Sequence, residues 1–282
     1  MIERYSPGLN KRRLGRLLTR FRKAAGLTLD DAAQLLYLSR SGLNRLETGE
    51  TKVNVHVLKS MLDLYEIGGD RWPALIEMAL HAREKGWWHE FGPGVAGAYV
   101  DFETETEEII DFGLATVPGL LQTADYTRVL LRRFYRGRRD IDEQVERTIA
   151  LGTARQERLD AERPLRLRVV LDEAVLIRPM GGQDVQAGQL AHLAETADRS
   201  NIEIRVLPLA QAHPGLQGAF SIMRFPRDME EPDIVYHQYP FNEQFLDSPE
   251  QVSRFHQLFR ELWSEALSQE DSIELFRRHA EL

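Results

Sequence analysis

The stretch from Leu27 to Gly49 constrains the chain most, because two short helical patterns meet there with almost nothing between them. Thr28 is a favoured N-cap residue, and apolar residues at helical spacing follow it as far as Leu36. Ser39 is a second N-cap residue, which begins the next pattern after a tight turn. The stretch therefore predicts two helices joined by a turn.

The second helix of this pair has a polar, partly basic outer face. Its pattern turns Leu43 and Leu46 inward, and the four residues that it turns outward are Arg40, Ser41, Asn44 and Arg45. Arginine, serine and asparagine side chains bond to base edges and to phosphates. The exposed face therefore suits contact with a nucleic acid.

The same stretch resembles the Cro/repressor-type (XRE) helix-turn-helix family. The family pattern LTxxxLAxxLxxSxxxIxRxExG is followed at Leu27, Thr28, Ala33, Ser39, Leu43, Arg45, Glu47 and Gly49. The resemblance implies that the second helix enters the major groove of double-stranded DNA and that Glu47 is structural. The DNA-binding residues that it implies are Arg40, Ser41, Asn44, Arg45, Thr28 and Ser39.

Three residues depart from what this family usually has. Tyr37 stands where a glycine usually makes the turn, and Leu29 stands where a glutamine often touches the DNA backbone. Gly42 shortens the surface that reads the bases. A residue other than glycine can occupy a left-handed turn position at a modest cost, so we expect the motif to persist.

The distribution of charge supports a division into two domains. The chain carries a net charge of −8, but residues 1–85 hold 15 Lys/Arg against 10 Asp/Glu, while residues 86–282 hold 21 against 34. After Lys85 come two tryptophans and then FGPGVAG, which interrupts any helix. We predict an all-α helix-turn-helix domain of about five helices over residues 1–85 and a second domain over residues 86–282. The tryptophans could stack on a ligand, but packing is the favoured interpretation.

The second domain alternates β-type and helical patterns, so we predict a mixed α/β (α+β) fold whose strand order cannot be read. The predicted strands are 107–112, 165–171, 202–207, 219–225 and 234–239. The predicted helices are 124–135, 141–161, 184–197, 249–267 and 269–280.

Six phrases give the second domain a resemblance of its own. They are WW at 87–88, VPGLLQT at 117–123, VVLDEAVL at 169–176, QLAHL at 189–193, IEIRVLPL at 202–209 and HPGLQGAFSIMRFP at 213–226. Together they are similar to the C-terminal domain of actinobacterial WhiJ-like regulators, some of which are described as antitoxin-like. The resemblance implies a small partner protein rather than a reaction.

A catalytic site needs convergent groups, and the sequence shows none of the usual sets. The chain has no cysteine, its eight histidines are scattered, and the HExxH, GxSxG and GxxxxGK[ST] motifs are missing. No lysine follows Lys85, which argues against the Ser–Lys pair of self-cleaving repressors. We therefore expect no catalytic residues, no metal site and no cofactor, and we expect that the protein is not an enzyme. An enzymatic alternative rests only on the chance that the second domain contains a pocket.

Two features of the second domain remain open to more than one interpretation. Asp172 and Glu173 are adjacent acids after an apolar strand, where a turn or helix-cap role is favoured over a catalytic one. The turns at Pro118-Gly119 and Pro214-Gly215 predict either core packing or a ligand pocket. The candidate pocket residues are Gln122, His213 and Tyr236.

These features lead to two hypotheses about function. The first is a sequence-specific transcriptional regulator, a repressor in type, that forms a homodimer and senses a small partner protein or a small-molecule effector through its C-terminal domain. The alternative is an antitoxin-like protein that sequesters a small neighbour-encoded partner and binds DNA mainly for autoregulation. With no apolar signal region and no long apolar run, we expect a cytoplasmic protein that does not bind a membrane.

Overall fold

The computed structural model describes residues 6–93, 97–137, 139–239 and 242–281, and these form two compact units. The first unit comprises the described residues of Met1–Glu90 and Ala96–Glu105, and the second those of Phe91–Val95 and Thr106–Leu282. Residues 1–5 of the opening segment and 94–96 of the FGPGVAG segment lie outside the described residues. The predicted boundary after residue 85 stays a prediction.

The first unit is helical, as predicted. Its helices are α1 (Pro7–Ala24), α2 (Leu29–Leu35), α3 (Arg40–Glu47), α4 (Val55–Leu64), α5 (Trp72–His81) and α6 (Ala98–Glu105). One apolar cluster contains residues of all five helices from α1 to α5, and it includes Leu14, Leu18, Leu43 and Leu58, all fully buried. Trp88, which follows these helices in the chain, is buried. Trp87 donates a hydrogen bond to Thr104 Oγ1 at 3.0 Å, so both tryptophans have packing roles.

A buried ion pair ties α1 to the last turn of α3. Arg22 Nε lies 2.7 Å from Glu47 Oε1 and Arg22 Nη2 lies 2.8 Å from Oε2, so the pair is bidentate. Arg22 Nη1 also donates to Leu27 O at 2.9 Å, and Thr19 Oγ1 donates to Glu47 Oε2 at 3.2 Å. The hydrogen bonds to Glu47 raise the pKa of the Arg22 guanidinium above its usual value. Glu47 is therefore structural, as the family resemblance implied.

The two helices approach closely beside this ion pair. A Cβ added at Gly15 of α1 would lie 2.5 Å from Glu47 O and 2.8 Å from Leu46 O, both of which are backbone atoms of α3. Such a contact is too short for any side chain, so only glycine permits this distance between α1 and α3. The position of α3 is therefore set by one glycine and one ion pair.

Helix α6 supplies a carboxylate to the start of α1. Asp101 accepts from Ser6 Oγ through Oδ1 and from Gly8 N through Oδ2, both at 2.7 Å, while Ser6 Oγ accepts from Leu9 N at 3.3 Å. Asp101 is 7% exposed, and this burial raises its pKa to about 6 against the opposing effect of the two hydrogen bonds. The backbone N–H of Gly8, in the first turn of α1, is thus satisfied by a side chain 93 residues away.

The second unit is built on a six-stranded mixed sheet with helices on both faces. The strands are β1 (Glu108–Gly113), β2 (Arg166–Asp172), β3 (Ile202–Leu207), β4 (Phe220–Arg224), β5 (Ile234–Tyr239) and β6 (Asn242–Leu246). Their order is β3-β2-β1-β4-β5-β6, in which the first three strands are parallel and the last three pair in antiparallel fashion. The fold is therefore a mixed α/β domain, as the sequence predicted.

The helices of the second unit divide between the two sheet faces. They are α7 (Ala124–Phe134), α8 (Ile141–Gln156), α9 (Ala174–Ile177), α10 (Gln183–Thr196), α11 (Pro249–Glu265) and α12 (Gln269–Ala280). One face, with Ile109 and Val169, forms a core with α10 and α12. The other face, with Ile110 and Val170, packs against Phe259 of α11. Alternate residues of β1 and β2 thus belong to different cores.

Five strands and five helices lie close to their predicted positions in this unit, and three short elements of the chain were missed, two of them in this unit. Strand β6 is an edge strand whose first three residues are exposed and polar, so it lacks the apolar alternation of a half-buried strand. Helix α9 has only four residues. Helix α6 lies in the first unit and contains two buried carboxylates, Asp101 and Glu103. In a sequence, acidic residues like these are typical of a solvent-exposed segment.

We predict that Arg22→Met strongly destabilises the first unit, because it leaves the Glu47 carboxylate buried without its partner. A loss of about 3–5 kcal/mol is expected for a broken buried ion pair. The double variant Arg22→Met/Glu47→Leu removes both charges and should be less destabilised than Arg22→Met alone. Hydrogen exchange of the α1 and α3 amides measures both losses. A double variant that is less stable than Arg22→Met would contradict this account.

We predict that Asp101 makes the stability of the first unit depend on pH. The folded-state pKa of about 6 exceeds the ordinary value of 3.8, so the folded state binds the proton more tightly. The stabilisation from protonation is therefore complete below about pH 4 and is lost as the pH rises through 6. Asp101→Asn mimics the protonated form and should not show this loss. Urea unfolding of both proteins from pH 4 to 7 tests the difference, and a constant difference would refute the prediction.

Candidate nucleic-acid interface

Helix α2 begins at the capping arrangement that the sequence predicted. Thr28 Oγ1 accepts from Asp31 N at 3.2 Å, and Asp31 Oδ2 accepts from Thr28 N at 3.1 Å. Hydrogen bonds from the Thr28 side chain and backbone lower the pKa of the Asp31 carboxyl. The Thr28 hydroxyl is exposed at the surface, but its main interaction is this reciprocal cap.

The turn between α2 and α3 contains a tyrosine in a left-handed conformation. Tyr37 has φ +54°, the region that favours glycine, and its side chain is 97% exposed. Leu38 N donates to Ala33 O at 2.9 Å, which brings the chain back across the end of α2. The substitution of tyrosine for the usual glycine therefore preserves the helix-turn-helix geometry.

Helix α3 presents the predicted residues at the surface. Its N-cap is Ser39, whose Oγ accepts from Gly42 N at 3.0 Å and lies 3.3 Å from Ser41 Oγ. All six residues predicted to bind DNA are exposed: Thr28, Ser39, Arg40, Ser41, Asn44 and Arg45. The four on α3 occupy positions i, i+1, i+4 and i+5, which share one side of an α-helix.

Arg40 has a partner that the sequence did not reveal. Its Nε lies 3.0 Å from Asp30 Oδ1 of α2, and the two side chains are 68% and 70% exposed. Solvent-exposed pairs of this kind contribute about 0–1 kcal/mol. The guanidinium of Arg40 can therefore exchange Asp30 for a base or a phosphate at little cost.

Asn44 and Arg45 are available for a ligand. Within the described parts of the chain, neither side chain makes an intramolecular hydrogen bond or ion pair. Both are exposed, and both lie one turn after Arg40 and Ser41. An asparagine amide can bond an adenine edge through two hydrogen bonds, and a guanidinium can do the same with guanine. These two side chains are thus free for the contacts that base reading requires.

The basic residues of α1 have different roles in the structure. Arg22 is buried in the ion pair with Glu47. Arg12 stacks over the Phe102 ring at 5.2 Å, and Lys11 Nζ donates to Glu50 O at 3.3 Å. Arg20 is exposed. The cations of α1 therefore include structural members as well as surface ones.

The three candidate pocket residues of the second unit each have local contacts. Gln122 donates to Val117 O at 2.6 Å and accepts from Thr127 Oγ1 at 2.9 Å. The Tyr236 ring packs on Phe245, with centroids 5.0 Å apart, and burial raises the pKa of its hydroxyl. None of the three residues lines either of the cavities described below, so a shared pocket stays a prediction.

His213 forms a buried pair that the sequence did not indicate. Its Nε2 lies 3.0 Å from Asp172 Oδ2, and its Nδ1 has no hydrogen-bond partner among the described residues. Asp172 Oδ1 accepts from Ala174 N at 2.8 Å, and Glu173 Oε2 accepts from Leu209 N at 2.8 Å. Asp172 therefore has the turn role that the sequence favoured, whereas the Glu173 side chain bonds to the backbone 36 residues away and does not cap α9.

Two of the cavities in the second unit are lined by described residues. The first, of about 260 Å³, is lined by Leu120, Thr153, Gln156, Glu157, Leu159, Asp160, His192, Thr196 and Arg199. The second, of about 370 Å³, is lined by Pro232, Asp233, Asp247, Pro249, Val252, Ser253, His256 and Arg260. His256 Nε2 lies 2.7 Å from Asp233 Oδ2 in the second cavity. Both cavities combine charged and apolar walls.

No group of three or more His, Asp or Glu side chains in the described ranges is arranged to hold a metal ion. In the same ranges, none of the helices combines the length and apolar character needed to cross a bilayer.

Two family models match the chain. A model described as a helix-turn-helix domain matches residues 13–75, which include α2 and α3. A model described as a domain of unknown function (DUF5753) matches residues 96–278. No curated protein and no solved structure gives a significant match. The helix-turn-helix domain points to a DNA-binding regulator rather than to an enzyme. Because the second model covers more than half of the chain, the chain belongs to the DUF5753 family, and a helix-turn-helix domain precedes its DUF5753 domain.

Proposed function

We propose that the protein is a sequence-specific transcriptional regulator, a repressor in type, that binds double-stranded DNA through α3. The observation that carries the proposal is the exposed face of this helix. There Asn44 and Arg45 have no partner within the described chain, and Arg40 has only a weak surface partner. The ion pair between Arg22 and Glu47 holds the opposite side of the same helix in the core. A firmly held helix with free polar side chains meets the physical requirement for base reading.

The proposed contacts divide by chemistry. Arg40 and Arg45 offer guanidinium groups that bond guanine edges or phosphates, and Asn44 offers an amide that bonds adenine. Ser41 offers a hydroxyl that can bond either purine. Thr28 and Ser39 cap their helices, and their exposed positions at the two helix starts suit them to phosphate oxygens as well.

A homodimer is part of the proposal because one short helix reads little sequence. Helix α3 has eight residues, and four of its side chains face outward. A single reader of this size gives limited specificity, whereas two copies can read half-sites ~34 Å apart on the same face of the duplex. We infer that the C-terminal domain dimerises and senses a small partner protein or a small-molecule effector. The phrases shared with WhiJ-like regulators support this inference.

We predict that Arg40→Ala and Asn44→Ala lower the preference of the protein for its own site. Each lost base contact should reduce discrimination by about 1–3 kcal/mol. The site is first selected from random duplexes with the wild-type protein, and binding to it is then compared with binding to a scrambled duplex. Arg254→Ala is the matched control for Arg40→Ala, since Arg254 is also an exposed arginine paired with an acid, here Glu250 at 2.7 Å. Unchanged discrimination by folded variants would remove the reading role.

The second candidate function is an antitoxin-like role in which the C-terminal domain sequesters a small neighbour-encoded partner. The observation that favours it is the acidic excess of residues 86–282, with 34 Asp/Glu against 21 Lys/Arg, which suits a basic partner. We predict on this alternative that the two proteins co-purify as a complex. Failure to form a complex at micromolar concentrations would exclude sequestration, while DNA binding by the protein alone would be unaffected.

A further inference from the structure

A strongly basic segment lies within the otherwise acidic second unit. Residues 132–139 read RRFYRGRR, so five arginines occur in eight positions with no acidic residue among them. The segment includes the end of α7 and the turn that leads to α8. Arg138 lies outside the described residues. We call the described residues 133–137 and 139 the basic turn.

The arginines that precede the basic turn are already neutralised. Arg128 Nε lies 2.9 Å from Glu146 Oε1, and Arg132 Nη2 lies 2.9 Å from Asp142 Oδ1. Both acids belong to α8, so these two pairs link the neighbouring helices of the α7–α8 hairpin. Glu146 and Asp142 are therefore occupied by arginines outside the basic turn, and the exposed Asp140 follows Arg139 directly in the chain.

The arginines of the basic turn itself are available. Arg133, Arg136 and Arg139 are exposed, and none makes an ion pair or hydrogen bond through its side chain within the described chain. Phe134 lies between them with 64% of its surface exposed. Unpaired guanidinium groups beside an exposed aromatic ring are typical of a contact surface.

We propose that the basic turn is a second DNA contact, which binds the phosphate backbone of a duplex without regard to sequence. The proposal rests on the proposed DNA-binding function and extends it to the second unit. Guanidinium groups match phosphate oxygens through two parallel hydrogen bonds, and every cation of this unit is an arginine. An acidic protein is the less favoured occupant, because protein hot spots lie in well-packed pockets and the basic turn lines neither described cavity.

The test compares two triple variants of the full-length chain that lose the same charge. The first is Arg133→Gln/Arg136→Gln/Arg139→Gln. The control is Arg163→Gln/Arg227→Gln/Arg260→Gln, which removes three exposed arginines elsewhere in the second unit. Binding is measured from 50 to 200 mM salt on the selected site and on a scrambled duplex of equal length.

The basic-turn variant should lose affinity equally for both duplexes. The slope of log affinity against log salt should become shallower by up to about 2.7, since each phosphate contact contributes about 0.9. The control should keep nearly the wild-type slope. Equal losses in the two variants would show an effect of net charge alone and would overturn the proposal. Unchanged DNA binding in the basic-turn variant would also overturn it, and lost binding to polyglutamate would then assign the surface to an acidic protein.

Failure of this inference is distinguishable from failure of the proposed function. The basic-turn variant should keep the wild-type ratio of affinities for selected and scrambled duplexes, whereas Asn44→Ala should lower that ratio. A protein that selects a site and shows no effect of the basic turn refutes only the inference. A wild-type protein that binds no duplex refutes both.

Discussion

The ion pair between Arg22 and Glu47 is the interaction on which the geometry of the reading helix depends. Helix α3 has eight residues, too few to be stable alone in water, so its position comes from packing. The bidentate pair joins its last turn to α1, and Gly15 lets the two backbones approach. Burying two charges is costly unless they meet in one geometry. We infer that the pair specifies one placement of α3, with its outward face left free.

Local patterns predicted much of the fold, because the interactions that begin and end helices lie within a few residues. Thr28 with Asp31, and Ser39 with the N–H of Gly42, are contacts across three residues, so their spacing is visible in the chain. Helix α6 escaped prediction because Asp101 bonds to Ser6 and Gly8, more than 90 residues away. Its carboxylate resembles a surface residue until its partners are known. Strand order depends on similar long-range pairing.

The same limit applies to the candidate site. Exposure of the α3 face follows from helical periodicity, so Arg40, Ser41, Asn44 and Arg45 could be named in advance. Which of these side chains is already paired depends on neighbouring elements, as Asp30 shows for Arg40. In the second unit, loops bring His213 to Asp172 across 41 residues, and no periodic pattern encodes that approach. The sequence therefore predicts which residues share an exposed helix face more reliably than it predicts which side chains those residues pair with.

Net charge is a poor guide to DNA binding in this chain, because paired and unpaired cations have different effects. Arg22, Arg128 and Arg132 are all neutralised by acids, whereas Asn44 and Arg45 present free donors. The acidic excess of residues 86–282 repels a duplex only over a distance of about 10 Å at 0.1 M salt. Within that distance the local set of unpaired groups decides the sign of the interaction. A phosphate contact by the second unit therefore requires a concentrated group of free arginines, and the end of the α7–α8 hairpin carries one.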